Sequence, residues 1–197
     1  MTREEWLNKA ANMMRPWFQE IGLPLPEKLR VSVGWPTTGA LAAPSSKSRT
    51  IGQCFSNECS EDKTTEVFIS PYVGKAALAL STLAHELVHA GDNCKHGHGP
   101  VFKKYAVALG LEGKMTATNA GPALTMRLEQ LVNRLGDYPH ASLDLSKQKK
   151  QTTRLLKATC EGCGYVIRLT QKWADVGLPT CCCGEEFRLE EPEEEGE

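Results

Sequence analysis

The chain has 197 residues, 41% of them hydrophobic and 24% charged, with 23 Lys and Arg against 24 Asp and Glu and a formal net charge of −1. That length suits one moderate domain with an appendage or two small ones, and it buries a core without relying on disulfides. The charge balance gives the molecule as a whole no strong attraction for nucleic acid or membranes, no apolar run is long enough to span a bilayer, and "MTREEWLNKAANMMRPW" reads as neither signal nor transit peptide.

In chain order, Thr2 and Glu5 form a capping box, and Trp6, Ala10, Met13, Trp17 and Ile21 recur at helical spacing. The first element is therefore a helix with this stripe as its core face, kinked at Pro16. "LRVSVGW", Leu29 to Trp35, alternates apolar and polar residues and predicts a strand. "PTTGALAAPSSKS" is loop. "TIGQCF" and "EVFIS" predict two further strands around the polar "SNECSEDKTT", and Cys54 and Cys59 are expected to be free thiols. A helix follows from about Gly74 to Ala90 with Gly91 as its carboxyl cap. Gly99 and Pro100 open another helix, which Gly110 ends. "EGKMTATNAGP" is loop, and "ALTMRLEQLVNRLG" is the last helix of this part. Residues 1–136 are thus one domain, 137–153 a polar and basic linker, 154–190 a cysteine module and 191–197 a disordered acidic tail.

Four of the five histidines lie within "HELVHAGDNCKHGH". His85, Glu86 and His89 make an H-E-x-x-H pattern. Residues four apart on a helix share a face, so both imidazoles can grip one ion, while Glu86 can reach a water on that ion without being a ligand. Catalytic zinc takes three protein ligands and keeps one position for water. His98, flanked by Gly97 and Gly99, is the better third candidate, His96 is the competitor, and Cys94 is the less common choice.

"FIS-P", "HELVHA", "GHGPVFKK", "LGLEGKMTAT" and "LGDYPHASL" together resemble the SprT-like metallopeptidase family, which includes the Spartan proteases of DNA–protein crosslink repair. The resemblance covers roughly residues 29–189 and is strongest to shorter bacterial and phage members. It implies that His98 is the third zinc ligand, and that the fold is α+β, a zincin-like domain with a small sheet above the metal helix. It also implies a zinc-dependent endopeptidase in which Glu86 is the general base. By analogy with zincins, "EVFIS" or its neighbour aligns a polypeptide substrate along the sheet.

The carboxyl-terminal cysteines read independently of that resemblance. Cys160-x-x-Cys163-Gly164 is a metal knuckle, and Cys181 and Cys183, followed by Gly184, supply a second pair with Cys182 as bystander. In a chain without signal character this favours structural zinc over disulfides and a reducing compartment, the cytoplasm. Lys149, Lys150, Arg168, Lys172 and Trp173 are candidates for contacting nucleic acid. The expected cofactors are therefore one catalytic and one structural zinc, and the partners a polypeptide substrate and DNA or DNA-bound proteins. A monomer without membrane contact is expected. The rival reading is a non-catalytic zinc adaptor on DNA or RNA.

Overall fold

The computed structural model describes residues 1–37, 49–144, 147 and 155–190. The acidic tail and part of the predicted linker, including Lys149 and Lys150, lie outside the described residues. The chain divides into two compact units, Met1–Ser146 and Lys147–Glu197. It is a mixed α+β protein with five helices and three small sheets among the described residues. None of these helices is long and apolar enough to cross a membrane.

Helix α1, Arg3–Glu20, begins at the Thr2 box: the Glu5 amide donates to Thr2 Oγ1 at 3.2 Å and the Thr2 amide to Glu5 Oε2 at 2.7 Å. The helix continues through Pro16. Its buried face is Trp6, Leu7, Ala10, Ala11, Met14 and Phe18, whereas Met13, Trp17 and Ile21 of the predicted stripe pack only at its margin. A stripe drawn one residue to the side shares Trp6 and Ala10 and then drifts, because successive helical positions are about 100° apart.

Strands β1 (Leu29–Val33), β2 (Gly52–Phe55) and β3 (Thr65–Ile69) form a sheet in the order β1-β3-β2, parallel between β1 and β3 and antiparallel between β2 and β3. "EVFIS" is therefore the central strand, with both its edges paired, and β1 and β2 are the edge strands among the described residues. Asn8 of α1 closes the β1 side. Its side-chain amide donates to the Val31 carbonyl at 2.7 Å, and its side-chain oxygen accepts from the Val31 amide at 3.0 Å, as a neighbouring strand would.

Helix α2, Ala76–Gly91, is the centre of the unit, packed against β2, β3, α1 and the two helices that follow it, α3 (Pro100–Leu109) and α4 (Pro122–Leu135). Its run of Ala and Leu has high helix propensity and ten of its residues are buried. Gly91 is its last helical residue rather than the cap, which is Asp92. A methyl group on Gly91 would lie 2.6 Å from Leu23 Cγ, so glycine serves close packing there.

Helix α3 (Pro100–Leu109) ends at Gly110, whose φ of 98° is left-handed. The segment expected to be loop is a hairpin, β4 (Leu111–Lys114) with β5 (Ala117–Ala120), and α4 (Pro122–Leu135) follows. Residues just past 136 are not linker. Tyr138 is buried with its ring 4.9 Å from Trp6, and the Leu143 amide donates to the Pro71 carbonyl at 3.0 Å. Trp6 Nε1 also donates to the Gly136 carbonyl at 3.0 Å, fastening this stretch to α1.

In the second unit β6 (Leu156–Cys160) is central, paired antiparallel with β7 (Val166–Leu169) and β8 (Phe187–Leu189), with a short helix α5 (Gln171–Val176) between the outer strands in chain order. Its buried core among the described residues is Ala158, Cys160, Cys181 and Phe187.

Candidate metal centres

Two groups of side chains could each hold a metal ion, His85 with His89 and His98, and Cys160 with Cys163, Cys181 and Cys183. In the first, α2 carries two rings on one face and the turn after it returns the third. Gly97 sits at a φ of 49°, a left-handed turn that a side chain would strain, and Gly99 caps α3. His98 Nε2 is 3.1 Å from His85 Nε2 and 3.2 Å from His89 Nε2. Three nitrogens on tetrahedral positions about 2.0–2.1 Å from an ion lie about 3.3 Å apart, so the donors match a zinc-sized dication. No fourth His, Cys, Asp or Glu joins this group among the described residues.

His96 turns away, its Nδ1 2.7 Å from Asp92 Oδ1 and its amide donating to Asp92 Oδ2 at 2.9 Å. Cys94 lies beside Cys54, whose thiol is raised in pKa by Cys94 and by burial, while Cys94 itself is lowered by that contact. Phe102, 1% exposed, floors the site, with its ring stacked on His89 at 4.4 Å and 4.9 and 5.0 Å from His85 and His98.

Glu86 is 6% exposed and stands outside the ligand group. It packs against Gly52 of the edge strand, where a methyl group would fall 2.5 Å from Glu86 Oε1 and 2.6 Å from Thr82 Cγ2. Only a glycine lets β2 come this close. Burial, then the nearby Cys94, raises the Glu86 pKa to about 8. Burial, then the neighbouring imidazoles, depresses His85 to about 3. His89 falls to about 4 for the same reasons, and burial also lowers His98. The rings therefore present bare nitrogens at neutral pH, as a metal requires.

Taken alone, His85, His89 and Glu86 are expected to make the metal-free first unit most stable near pH 6.5. Between about pH 4.5 and 6.5 the unfolded chain takes up His85 and His89 protons that the native chain refuses, while native Glu86 keeps one that the unfolded chain releases. The net proton makes stability rise with pH, by about 1.4 kcal/mol per unit from these three groups. From 6.5 to 8 only the Glu86 proton remains, and stability falls. Urea titrations of chelator-treated protein, read on the methyl resonances of Leu83 and Leu87, should trace this maximum; a curve still rising from 6.5 to 8 would contradict it.

In the second group Cys160 Sγ is 3.4 Å from Cys183 Sγ, and Cys163 Sγ is 3.5 Å from Cys181 Sγ. A tetrahedron of four thiolates with metal–sulfur bonds of about 2.3 Å has edges of about 3.8 Å. Both knuckles close alike. The Gly164 amide donates to the Cys160 carbonyl at 3.0 Å and the Gly184 amide to the Cys181 carbonyl at 2.9 Å, with left-handed φ values of 74° and 91°. The Cys163 and Gly162 amides point at Cys160 and lower its pKa to about 6 despite its burial. For Cys163 the Tyr165 amide is outweighed by the crowd of thiols, Cys181 foremost, which raises it to about 12. One thiolate shared among thiols is the expected state of such a cluster before a cation neutralises it. Cys182 is exposed, 3.9 Å from Cys181 Sγ, and outside the group.

Of the candidate nucleic-acid contacts, Trp173 is 57% exposed with Lys172 Nζ 5.3 Å from its ring, and Arg168 lies on β7 opposite Lys157. Lys157 pairs with Glu190 at 2.6 Å, and Arg188 lies 3.7 Å from Glu161. Two residues of the first centre escaped sequence reasoning. Gly52 carries no signal, being one glycine among 17. Thr118, whose Oγ1 is 2.8 Å from His85 Nδ1, lies in the hairpin read as loop, where the only hint was the alternation Thr116-Ala117-Thr118. Compared with protein-family models, curated proteins and solved structures, the chain matches none.

Proposed function

We propose that the chain is a zinc-dependent endopeptidase of SprT-like type, with a zincin-like catalytic domain and a zinc ribbon. The observation that carries this reading is the meeting of three imidazole Nε2 atoms, two of them on α2, the same helix that carries the buried Glu86 outside the group. His85, His89 and His98 would hold the catalytic ion, and Cys160, Cys163, Cys181 and Cys183 the structural one. Zinc held by three histidines supplies Lewis acidity, bringing a water's pKa toward neutrality and polarising a carbonyl. Glu86 takes a proton from the attacking water and returns it to the leaving amine. Its raised pKa suits the return, and a dication among the adjacent imidazoles favours the carboxylate that the first transfer needs. β2, flush against Glu86 through Gly52, is the strand placed to align an extended substrate by backbone hydrogen bonds.

The adaptor reading draws on exposed Trp173 and Tyr165, but residues 155–190 carry four cations against five carboxylates, with Lys157 already paired and Arg188 beside Glu161. An electrostatic path for nucleic acid is therefore weak in that segment. Glu86→Gln keeps shape and polarity and removes the base. It is expected to retain two zinc ions per chain and to lower cleavage of a quenched fluorescent unfolded polypeptide by about 10²- to 10⁴-fold. Wild-type turnover by this variant, in a preparation clear of other proteases, would overturn the assignment.

A further inference from the structure

We infer that Thr118 is a positioning residue for the histidine centre, fixing the tautomer and ring orientation of His85. The inference rests on the metal reading above but on a separate observation. His85 Nδ1 lies 2.8 Å from Thr118 Oγ1, on the ring edge opposite the Nε2 that meets His98. An imidazole that ligates through Nε2 must carry its proton on Nδ1, and that N–H then needs an acceptor. Thr118 Oγ1 is that acceptor. A hydroxyl also donates, so the same contact serves the other tautomer before metal arrives. No carboxylate is needed, and the contact adds no charge to the site.

The placement explains a hairpin that otherwise buries little. Of β4 only Leu111 is buried and β5 is exposed at alternate positions, Ala117 and Asn119, leaving Thr118 and Ala120 half-buried. β5 packs against α2, which carries His85. The two-residue connection sets the register in which Thr118 pairs with Gly113, at a φ of 93°. The pleat alternates by one residue, so a slip of one would turn Thr118 away from α2.

The test is zinc titration of the full chain against a chromophoric chelator, in which the cysteine cluster serves as an internal reference. Thr118→Val, which keeps the shape and loses the hydroxyl, is expected to weaken the histidine-centre affinity about 10- to 100-fold and leave the cysteine site unchanged. Thr118→Ser should restore affinity to within about threefold of wild type. The proton signal of His85 Nδ1–H in the zinc-loaded protein should shift in the valine variant and return in the serine one, which loss of packing alone would not produce. Unchanged affinity in Thr118→Val, with His98→Ala abolishing that site, would overturn the role of Thr118 alone. A wild-type chain that takes up zinc only at the cysteines would overturn the metal reading as well.

Discussion

Cys160→Ser is expected to unfold the second unit and leave the first native, as is chelator treatment of zinc-loaded protein. The reason lies in how little that unit buries. Among the described residues Ala158 and Phe187 are its only buried ones outside the cysteine group, and β8 is three residues long. A buried Phe contributes about 1.5–3 kcal/mol and an alanine less, far below the cost of ordering this many residues. Binding of a structural zinc supplies about 10–16 kcal/mol at neutral pH, and in such modules that free energy is the folding free energy. Cys160 is the residue to change, since it is buried and the Cys163 and Gly162 amides lower its pKa to about 6, whereas Cys163 is pushed up. Amide exchange should collapse across Val166–Leu169 and persist in α2. Cys182→Ser is the control and should keep both. Protection of β6 and β7 surviving in Cys160→Ser would show that the strands hold without the metal.

The two centres were legible to different degrees, for physical reasons. A helix fixes the relation between His85 and His89 through its period alone, so local sequence states their geometry. Cys160 and Cys163 are equally local, held by a knuckle that Gly164 closes at a φ of 74°. The His98–His96 alternative was harder, because two residues apart in a glycine-flanked turn can point either way. What separates them in space is Asp92, which engages both the ring and the amide of His96. Contacts between distant elements were not legible at all. Gly52 matters because of Glu86, and Thr118 because of His85, partners 34 and 33 residues away. The edge role of β2 likewise follows from pairing order, which alternation of apolar residues does not encode. The packed stretch after Gly136 looked like linker because its polar composition hides one anchoring ring, Tyr138.

Phe102→Ala is expected to be among the most damaging single changes in the first unit outside the three histidines themselves. Its ring is 1% exposed and lies under all three imidazoles, stacked on His89 with a 28° interplanar angle. Truncation removes the ring's burial and leaves a cavity below the site, a combination that costs about 3–5 kcal/mol in well-packed cores. The loss should also reach the metal. The ring lies 5.0 Å from His98 and also against His85 and His89, so its loss removes the packing shared by all three imidazoles. Urea unfolding should show the stability loss, and zinc titration a weaker histidine centre beside an unaltered cysteine centre. Phe102→Leu refills most of the volume and should recover the larger part of the stability, but it lacks the flat face on which His89 stacks. Its zinc affinity should therefore recover less than its stability. A Phe102→Ala protein that lost under about 1 kcal/mol would mean the cavity collapses freely. The three rings would then be positioned by α2 and the glycine turn alone.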